Sequence, residues 1–349
     1  MIVLEVPLKT TEKVKKTLIA KELIDHNYKP LKDNNFFYFP LKKAVKIPNT
    51  RLIDKKLEPF QKKETSLKER LKYYLTKEEL KLLKTSYDII GSIAVIEIPP
   101  ELEPKETIIA EELLKLNPSL KTIVKKKNIH HGTFRTQQTG HLAGKKNKTS
   151  IYKENGIKLK VNLDKTYFSI RLGTERKRIA KQVKVGENIL VMFSGVAPYP
   201  CILAKTTKAN SIVGIEINPY AHKLGQENIK LNKITNVTLI NDNVKKAVPR
   251  LKLIFDRILM PLPKTADEFL STALQASKQG TIIHFYDFLN ENKFKEACAK
   301  IKDTCKKANL NCKILKTVKC GQHAPKVYRI CVDFKIVNRN PTPPVTASL

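Results

Sequence analysis

Residues suited to holding a nucleotide-like ligand are gathered between Glu187 and Pro219. An apolar stretch, Ile189 to Phe193, gives way to the small residues Ser194-Gly195-Val196-Ala197-Pro198; a second apolar stretch, Ile212 to Ile217, carries Glu216 near its end and stops at Asn218-Pro219. Strand, tight turn, helix and strand with a terminal acid make a nucleotide-binding βαβ unit. Glycine lets the backbone approach a ligand closely, and a carboxylate at the next strand's end suits a ribose diol. A dinucleotide fingerprint needs three glycines where this turn has one, so NAD fits poorly. S-adenosylmethionine, which has no pyrophosphate to cradle, fits better. An ordinary αβ core unit with an incidental Glu216 is the alternative that these residues alone leave open.

Two more segments extend the site. In an open parallel sheet the ligand lies beyond the carboxyl ends of the strands. Val237 to Ile240 ends there in Asn241-Asp242, and Ile254 to Met260 ends in Pro261-Leu262-Pro263. The expected cofactor contacts are therefore Phe193, Ser194, Gly195, Val196, Pro198, Glu216, Ile217, Asn218, Asn241, Asp242, Met260 and Pro261. The acids suit ribose hydroxyls and the adenine amine, and the Met260 segment is where a methyl group would meet its acceptor.

The elements that position these segments read as β/α repeats. Helices are expected from Arg171 onward, capped by Thr174, then over Tyr220 to Leu231, Ala266 to Ser277 and Asn290 to Ala308; a strand is expected over Thr281 to Phe288. Cys312 to Lys319 and Lys326 to Val337 form a final hairpin. This is the layout of a class I, Rossmann-like α/β methyltransferase domain with an antiparallel last strand. Ahead of it, Ile2 to Val6, Thr11 to Asp25 and Phe36 to Leu41 read as a small αβ module. Lys46 to Glu69 lacks periodicity and reads as a linker. Ser66 to Lys84 and Glu106 to Leu116 are helical, Ile89 to Ile98 is one apolar strand, and short strands are expected over Ile151 to Val161 and Thr166 to Ser169. The domains are thus 1–62, 63–165 and 166–338, with a flexible tail at 339–349.

Charge points to the partner. The 349 residues include 66 Lys and Arg against 33 Asp and Glu, a net +33, far beyond what solubility requires. Such an excess favours a polyanion; a general lysine bias is the alternative. The distribution is uneven, however. Lys125 to Lys148 holds Lys125, Lys126, Lys127, Arg135, Lys145, Lys146 and Lys148, with Phe134, His130 and His131 among them and no acid. A run this one-sided reads as phosphate contact. The six cysteines form no CxxC pair and no metal is expected. No apolar run approaches the roughly 20 residues of a membrane span, and no signal-peptide layout opens the chain, so a cytoplasmic protein is expected.

Six motifs together carry a resemblance: SYDIIGSIAVIEIP (Ser86 to Pro99), FRT (Phe134 to Thr136), YFSIRLGTERKRI (Tyr167 to Ile179), MFSGVAP (Met192 to Pro198), GIEINP (Gly214 to Pro219) and DRILMPLP (Asp256 to Pro263). Over nearly the whole chain it resembles the archaeal and eukaryotic tRNA methyltransferases that act on N1 of guanosine 37, beside the anticodon. The resemblance implies a small N-terminal domain for the outer corner of tRNA, a middle RNA-binding domain, and the methyltransferase domain using S-adenosylmethionine, working as a monomer. It implies Glu175 as general base and Arg135 as the partner of guanine O6, with Arg171, Arg176 and Arg178 joining the lysines above in contacting RNA. Without the resemblance, Glu175 reads as one exposed charge on a basic helix.

One position departs from the guanosine-restricted members, which tend to carry Asn where this chain has Pro261. Proline has neither a side-chain amide nor a backbone N–H to offer a purine. In this the chain resembles the archaeal branch linked to wyosine biosynthesis, whose members also methylate C7 of 4-demethylwyosine. Both activities are therefore expected. Two alternatives stand beside them: transfer of the 3-amino-3-carboxypropyl group to the same tricyclic base, and a non-catalytic tRNA-binding protein, based on the absence of an acid at Met192. The Arg-Leu-Gly-Thr-Glu-Arg motif favours methyl transfer over the first, and intact Glu216 and Asp242 argue against the second.

Overall fold

A computed structural model describes residues 1–25, 27–59, 66–127, 132–262 and 264–339. The expectations for His130, His131, Pro263 and the tail from 340 lie outside them. The chain divides into two compact units, Met1–Tyr73 and Tyr74–Leu349.

The first unit contains β1 (Ile2–Pro7), α1 (Thr11–Ala20), β2 (Leu31–Lys32), β3 (Phe36–Pro40), β4 (Arg51–Asp54) and α2 (Leu67–Leu71). Its sheet runs in the order β2-β3-β1-β4, and alternate residues of β1 (Leu4, Val6) pack with Val14 and Leu18 of α1. The expected linker is corrected here: β4 pairs antiparallel with β1, Leu4 opposite Leu52. Arg51, Leu52 and Asp54 are exposed, so an edge strand held by backbone bonds left no apolar periodicity to read.

The second unit opens with α3 (Lys77–Leu82), β5 (Asp88–Ile90), β6 (Ile93–Ile96), α4 (Glu106–Leu116), β7 (Thr122–Lys126) and β8 (Thr139–Gly144), then a hairpin of β9 (Thr149–Glu154) and β10 (Ile157–Asn162). The single helix expected over Ser66 to Lys84 is two short ones, each begun by its own capping box, Ser66 with Glu69 and Thr76 with Glu79. The single strand expected over Ile89 to Ile98 is a hairpin pairing Ile90 with Ile93. Gly91 makes that turn with φ +60°, and a Cβ there would sit 2.4 Å from the Ile151 carbonyl oxygen. Only glycine fits on both counts.

The rest is α5 (Gly173–Ala180), β11 (Asn188–Met192), α6 (Pro198–Thr206), β12 (Ser211–Glu216), α7 (Pro219–Leu231), β13 (Val237–Asn241), α8 (Val244–Leu251), β14 (Phe255–Met260), α9 (Leu270–Gln275), β15 (Ser277–Asn290), α10 (Phe294–Lys307), β16 (Leu310–Ala324) and β17 (Val327–Arg339). The sheet order is β13-β12-β11-β14-β15-β17-β16. Strands β11 to β15 are parallel, and β17 enters antiparallel to both β15 and β16. Central strands are buried on both faces, which is why they read as continuous apolar runs. Leu190, Met192 and Ile258 pack toward α8, α9 and α10, while Ile189, Val191 and Leu259 pack toward α5, α6 and α7. Thr166 to Ser169 is not a strand, and α5 is capped by Leu172 without a side-chain bond, not by Thr174. No helix among the described residues is long and apolar enough to cross a membrane.

Candidate active site

The turn after β11 is built from alternating left-handed residues. Phe193, Gly195 and Ala197 have φ of 60°, 56° and 64°, a region that non-glycine residues enter at a cost of about 1 kcal/mol or more each. The path turns Gly195 N–H onto Glu216 Oε2 at 2.7 Å, while Asn218 N–H reaches Glu216 Oε1 at 2.8 Å. Burial, foremost, raises the affinity of Glu216 for its proton, and these backbone donors oppose it. Each oxygen keeps a lone pair for a ribose hydroxyl. Ile217, beside it, is an exposed apolar side chain suited to an adenine face. Asn241 closes the strand ends by donating to the Glu216 carbonyl at 2.7 Å, and Asp242 is bridged to Arg250 at 3.1 Å. The half-buried Pro261 follows Met260 at the end of β14.

Several members of the expected cofactor set act from behind this surface. Ser194, Val196 and Met260 are buried, so their contribution is backbone and packing. Phe193 packs edge-on against Phe269, ring centres 4.9 Å apart. Asn218 is corrected as a side-chain ligand: its Oδ1 caps α7 through Tyr220 and Ala221 N–H, and its Nδ2 donates to the Lys165 carbonyl. The groups present, a buried carboxylate on backbone donors beside an apolar shelf, fit S-adenosylmethionine.

Glu175 is not an exposed charge. It is 5 % exposed, and both its oxygens are held: Oε2 by Arg178 Nε at 2.7 Å, Oε1 by Arg178 Nη2 at 2.8 Å and by the Tyr286 hydroxyl at 2.7 Å. Tyr286 in turn lies 2.8 Å from the Tyr199 hydroxyl. Because Phe285 pairs with Met260 across β15 and β14, Tyr286 stands level with Pro261. The Glu175 carboxylate is therefore held, through Tyr286, near the end of β14.

Arg135 is half-buried in a turn with φ 50°. Burial, foremost, lowers its hold on its proton, Tyr167 opposes and Arg329 reinforces that; a guanidinium stays cationic regardless. Arg329 donates to Tyr167 at 3.0 Å and lies 5.1 Å over the Phe288 ring, which stacks on His323 at 4.1 Å. Its Nε is buried without a partner among the described residues. Burial, foremost, and then Glu175 push the Cys320 thiol up, while Arg178 and Arg329 oppose. Neither Arg329 nor Tyr286 was singled out from sequence. The signal was there in period two: His284, Tyr286 and Phe288 share one face of β15, and Arg329, Cys331 and Asp333 one face of β17.

The RNA set divides. Lys127, Lys145 and Lys146 are exposed, and so is Arg171 although it pairs with Asp88 at 3.1 Å. Arg176 is corrected: it is 1 % exposed and locked bidentate on Glu154 at 2.6 and 2.8 Å, so it is withdrawn from any phosphate. Arg178 is likewise spent on Glu175 and Asp333. Lys125 bridges Glu103 and Glu106, and Lys126 pairs with Glu97. A run without acids in sequence is met by acids from neighbouring elements in space.

This sheet order, with acid-bearing strand ends and a buried carboxylate beside them, defines a class I methyltransferase, the class that draws its methyl group from S-adenosylmethionine. Profiles of known families match along the chain: the tRNA methyltransferase 5 N-terminal domain over residues 4–49, the TYW2 N-terminal domain over 67–148 and the TRM5/TYW2 methyltransferase domain over 150–315. The chain is 35% identical over 336 residues to tRNA (guanine(37)-N(1))-methyltransferase Trm5b of Pyrococcus abyssi, covering 96% of this chain and 99% of that protein. It is 34% identical over 269 residues to the tRNA (guanine(37)-N(1))/4-demethylwyosine(37)-methyltransferase Taw22 of Nanoarchaeum equitans, covering 62% and 89%. Among solved structures, aTrm5 in complex with tRNALeu superposes with a TM-score of 0.84 at 31% identity, covering 97% of this chain and 100% of that one. The protein belongs to the TRM5/TYW2 methyltransferase family.

Proposed function

We propose that the protein transfers a methyl group from S-adenosylmethionine to N1 of guanosine 37 in tRNA, with Glu175 as general base. The observation that carries this is the buried Glu175 carboxylate, fixed by Arg178 and Tyr286 level with the end of β14. Guanine N1 bears a proton at neutral pH and is a poor nucleophile until it leaves, and a carboxylate within hydrogen-bond reach is suited to take it. On this reading Arg135 offsets charge developing on O6, supported by Arg329, whose Nε has no partner among the described residues. When bound, S-adenosylmethionine supplies the electrophilic methyl; Glu216, Ile217 and Asp242 hold its adenosine end. N1 lies inside a pair or stack, so the nucleotide must be splayed out, at a cost met by RNA contacts elsewhere. We assign residues 1–62 to the tRNA outer corner, 63–165 to RNA binding through Lys127, Lys145 and Lys146, and 166–338 to chemistry. On this reading the protein works as a monomer in the cytoplasm.

A second activity, methylation of C7 of 4-demethylwyosine, is favoured by Pro261, which removes a polar donor where a larger, flatter ring would lie. The bifunctional Nanoarchaeum relative supports it. The test is a methylation assay on tRNA bearing guanosine 37 and on tRNA bearing the tricyclic base, with product masses. Mono-methylation of both is expected. No transfer to guanosine overturns the main reading; addition of the larger aminocarboxypropyl group would replace it.

A further inference from the structure

Behind Glu175 runs a buried chain of charges that the reaction as described does not use. Arg178, which grips Glu175, also donates to Asp333 at 2.5 and 3.1 Å. His284 Nδ1 lies 2.7 Å from Asp333 Oδ1, and His284 Nε2 lies 2.8 Å from Arg257 Nη1. Arg257 ends the chain on Glu187, bidentate at 2.7 and 2.9 Å. Arg257 and His284 are 0 % exposed, Asp333 2 % and Glu187 8 %. The residues come from α5, β17, β15 and β14 and from the loop before β11, so the line crosses the covered face of the sheet.

Its proton inventory is fixed by geometry. Arginine has only donors, so His284 Nε2 must accept from Arg257, and its single hydrogen then sits on Nδ1 and donates to Asp333. A proton added to His284 would set N–H against N–H at 2.8 Å. Tyr286 spends its hydrogen on Glu175, so Tyr199 must donate to Tyr286. The other groups facing the carboxylate are the Tyr199 and Tyr286 phenols and the Cys320 and Cys331 thiols, all raised by burial first, and Arg176, neutralised by Glu154. Three carboxylates (Glu175, Asp333, Glu187) face two guanidiniums (Arg178, Arg257), leaving one negative charge. His284, Cys331 and Asp333 do offer three ligand atoms within 4.8 Å, but the two guanidiniums already bonded to this cluster occupy the place of a cation.

We propose that Asp333 and His284 are positioning residues that act on Glu175 through Arg178, and that the network is built one proton short so that Glu175 is its sole proton acceptor. Asp333 anchors Arg178 from the far side and draws off part of its charge. In the reaction the N1–H proton passes to Glu175 as the N1 lone pair bonds the methyl carbon and the carbon–sulfur bond breaks to leave a neutral thioether. The buried network thereby goes from one net negative charge to none. This inference rests on Glu175 being the base.

The test uses the full-length protein, a guanosine-37 tRNA transcript and Asp333→Asn, with S-adenosylhomocysteine titration to count folded sites. The expected result is a rate constant per folded site about tenfold lower, with KM for tRNA within about threefold, and an acid limb of the pH–rate profile moved to lower pH, because Arg178 is left to Glu175 alone. A role in folding only would lower the number of sites and leave rate per site and pH profile unchanged, and that result overturns the proposal. If Asp333→Asn binds no cofactor analogue, His284→Gln takes its place: its oxygen can accept from Arg257 but no donor remains at the Nδ1 position that Asp333 uses, and a rate per site and pH profile equal to the parent overturns the proposal. Glu175→Gln is run in parallel. A parent-like rate there sinks the base reading itself, whereas a slow Glu175→Gln with a parent-like Asp333→Asn sinks only the relay.

Discussion

Tyr286 donates its phenolic hydrogen to Glu175 at 2.7 Å from a strand 111 residues further along the chain. Burial raises the phenol well above its usual range, so it stays a donor throughout the working pH range and fixes one oxygen of Glu175 from β15 while Arg178 fixes it from α5. Tyr286→Phe keeps the ring packing and removes the donor. A rate about tenfold lower with unchanged tRNA affinity is expected, read by single-turnover methylation and filter binding. The Tyr199 hydroxyl loses its acceptor in that variant, so a loss of stability of about 1 kcal/mol accompanies it.

Glu216 receives backbone hydrogen bonds from Gly195 and Asn218 on both sides. Glu216→Ala removes the proposed ribose partner and strands two donors. Cofactor affinity is expected to fall by about tenfold to a hundredfold, the range for bonds to a charged group. Calorimetric titration with S-adenosylhomocysteine checks it, and the tRNA affinity should not change.

Pro261 follows the buried Met260 at the mouth. Pro261→Asn restores an amide toward a purine edge. The ratio of guanosine to 4-demethylwyosine methylation is expected to rise by about tenfold, the scale of one hydrogen bond in a site, measured by competing the two tRNAs in one reaction.

His284 supplies a pH signature of stability. Burial, foremost, lowers its proton affinity below the usual 6.5, with Asp333 opposing. The unfolded chain then binds more protons than the folded one below that value, so this contribution is complete above pH 6.5 and is lost as pH falls through and below it. Asp333, which burial alone would raise, is held well below the carboxylate range by His284 and Arg178, so its share is lost only in stronger acid. Thermal melts across that range should show stability falling from near neutrality, and His284→Gln should flatten the first part of the fall.

The methyltransferase sheet was legible because its strands are buried on both faces and its turn carries glycine, proline and an acid at informative spacing. The small-residue turn and Glu216 were placed correctly on that basis. The Lys46–Glu69 segment was not legible, because β4 is an exposed edge strand paired through its backbone. Charge was misread in two directions: Arg176 and Arg178 looked like phosphate contacts yet are consumed by Glu154, Glu175 and Asp333, which lie far off in sequence or one helical turn away. Lys125 and Lys126 looked unopposed until α4 and the segment ahead of it brought Glu103, Glu106 and Glu97 to them. Local sequence reports which charges exist; pairing depends on long-range topology. The polar stripe of His284, Tyr286, Arg329 and Asp333 was readable as a period-two interruption of apolar strands, and only the sheet order shows that it backs the site.

Removal of the N1 proton by Glu175, as proposed, is the step on which the chemistry depends. The most direct measurement is single-turnover methylation of guanosine-37 tRNA by Glu175→Gln across pH, with saturating S-adenosylmethionine. The amide keeps the shape, and its one oxygen can still accept from Arg178 Nη2 and Tyr286 while its nitrogen faces Arg178 Nε, but it takes no proton. A rate lower by about a hundredfold or more, with tRNA and cofactor affinities within about threefold and the acid limb of the pH profile gone, is predicted. A rate near that of the parent, with the same pH dependence, would contradict the account.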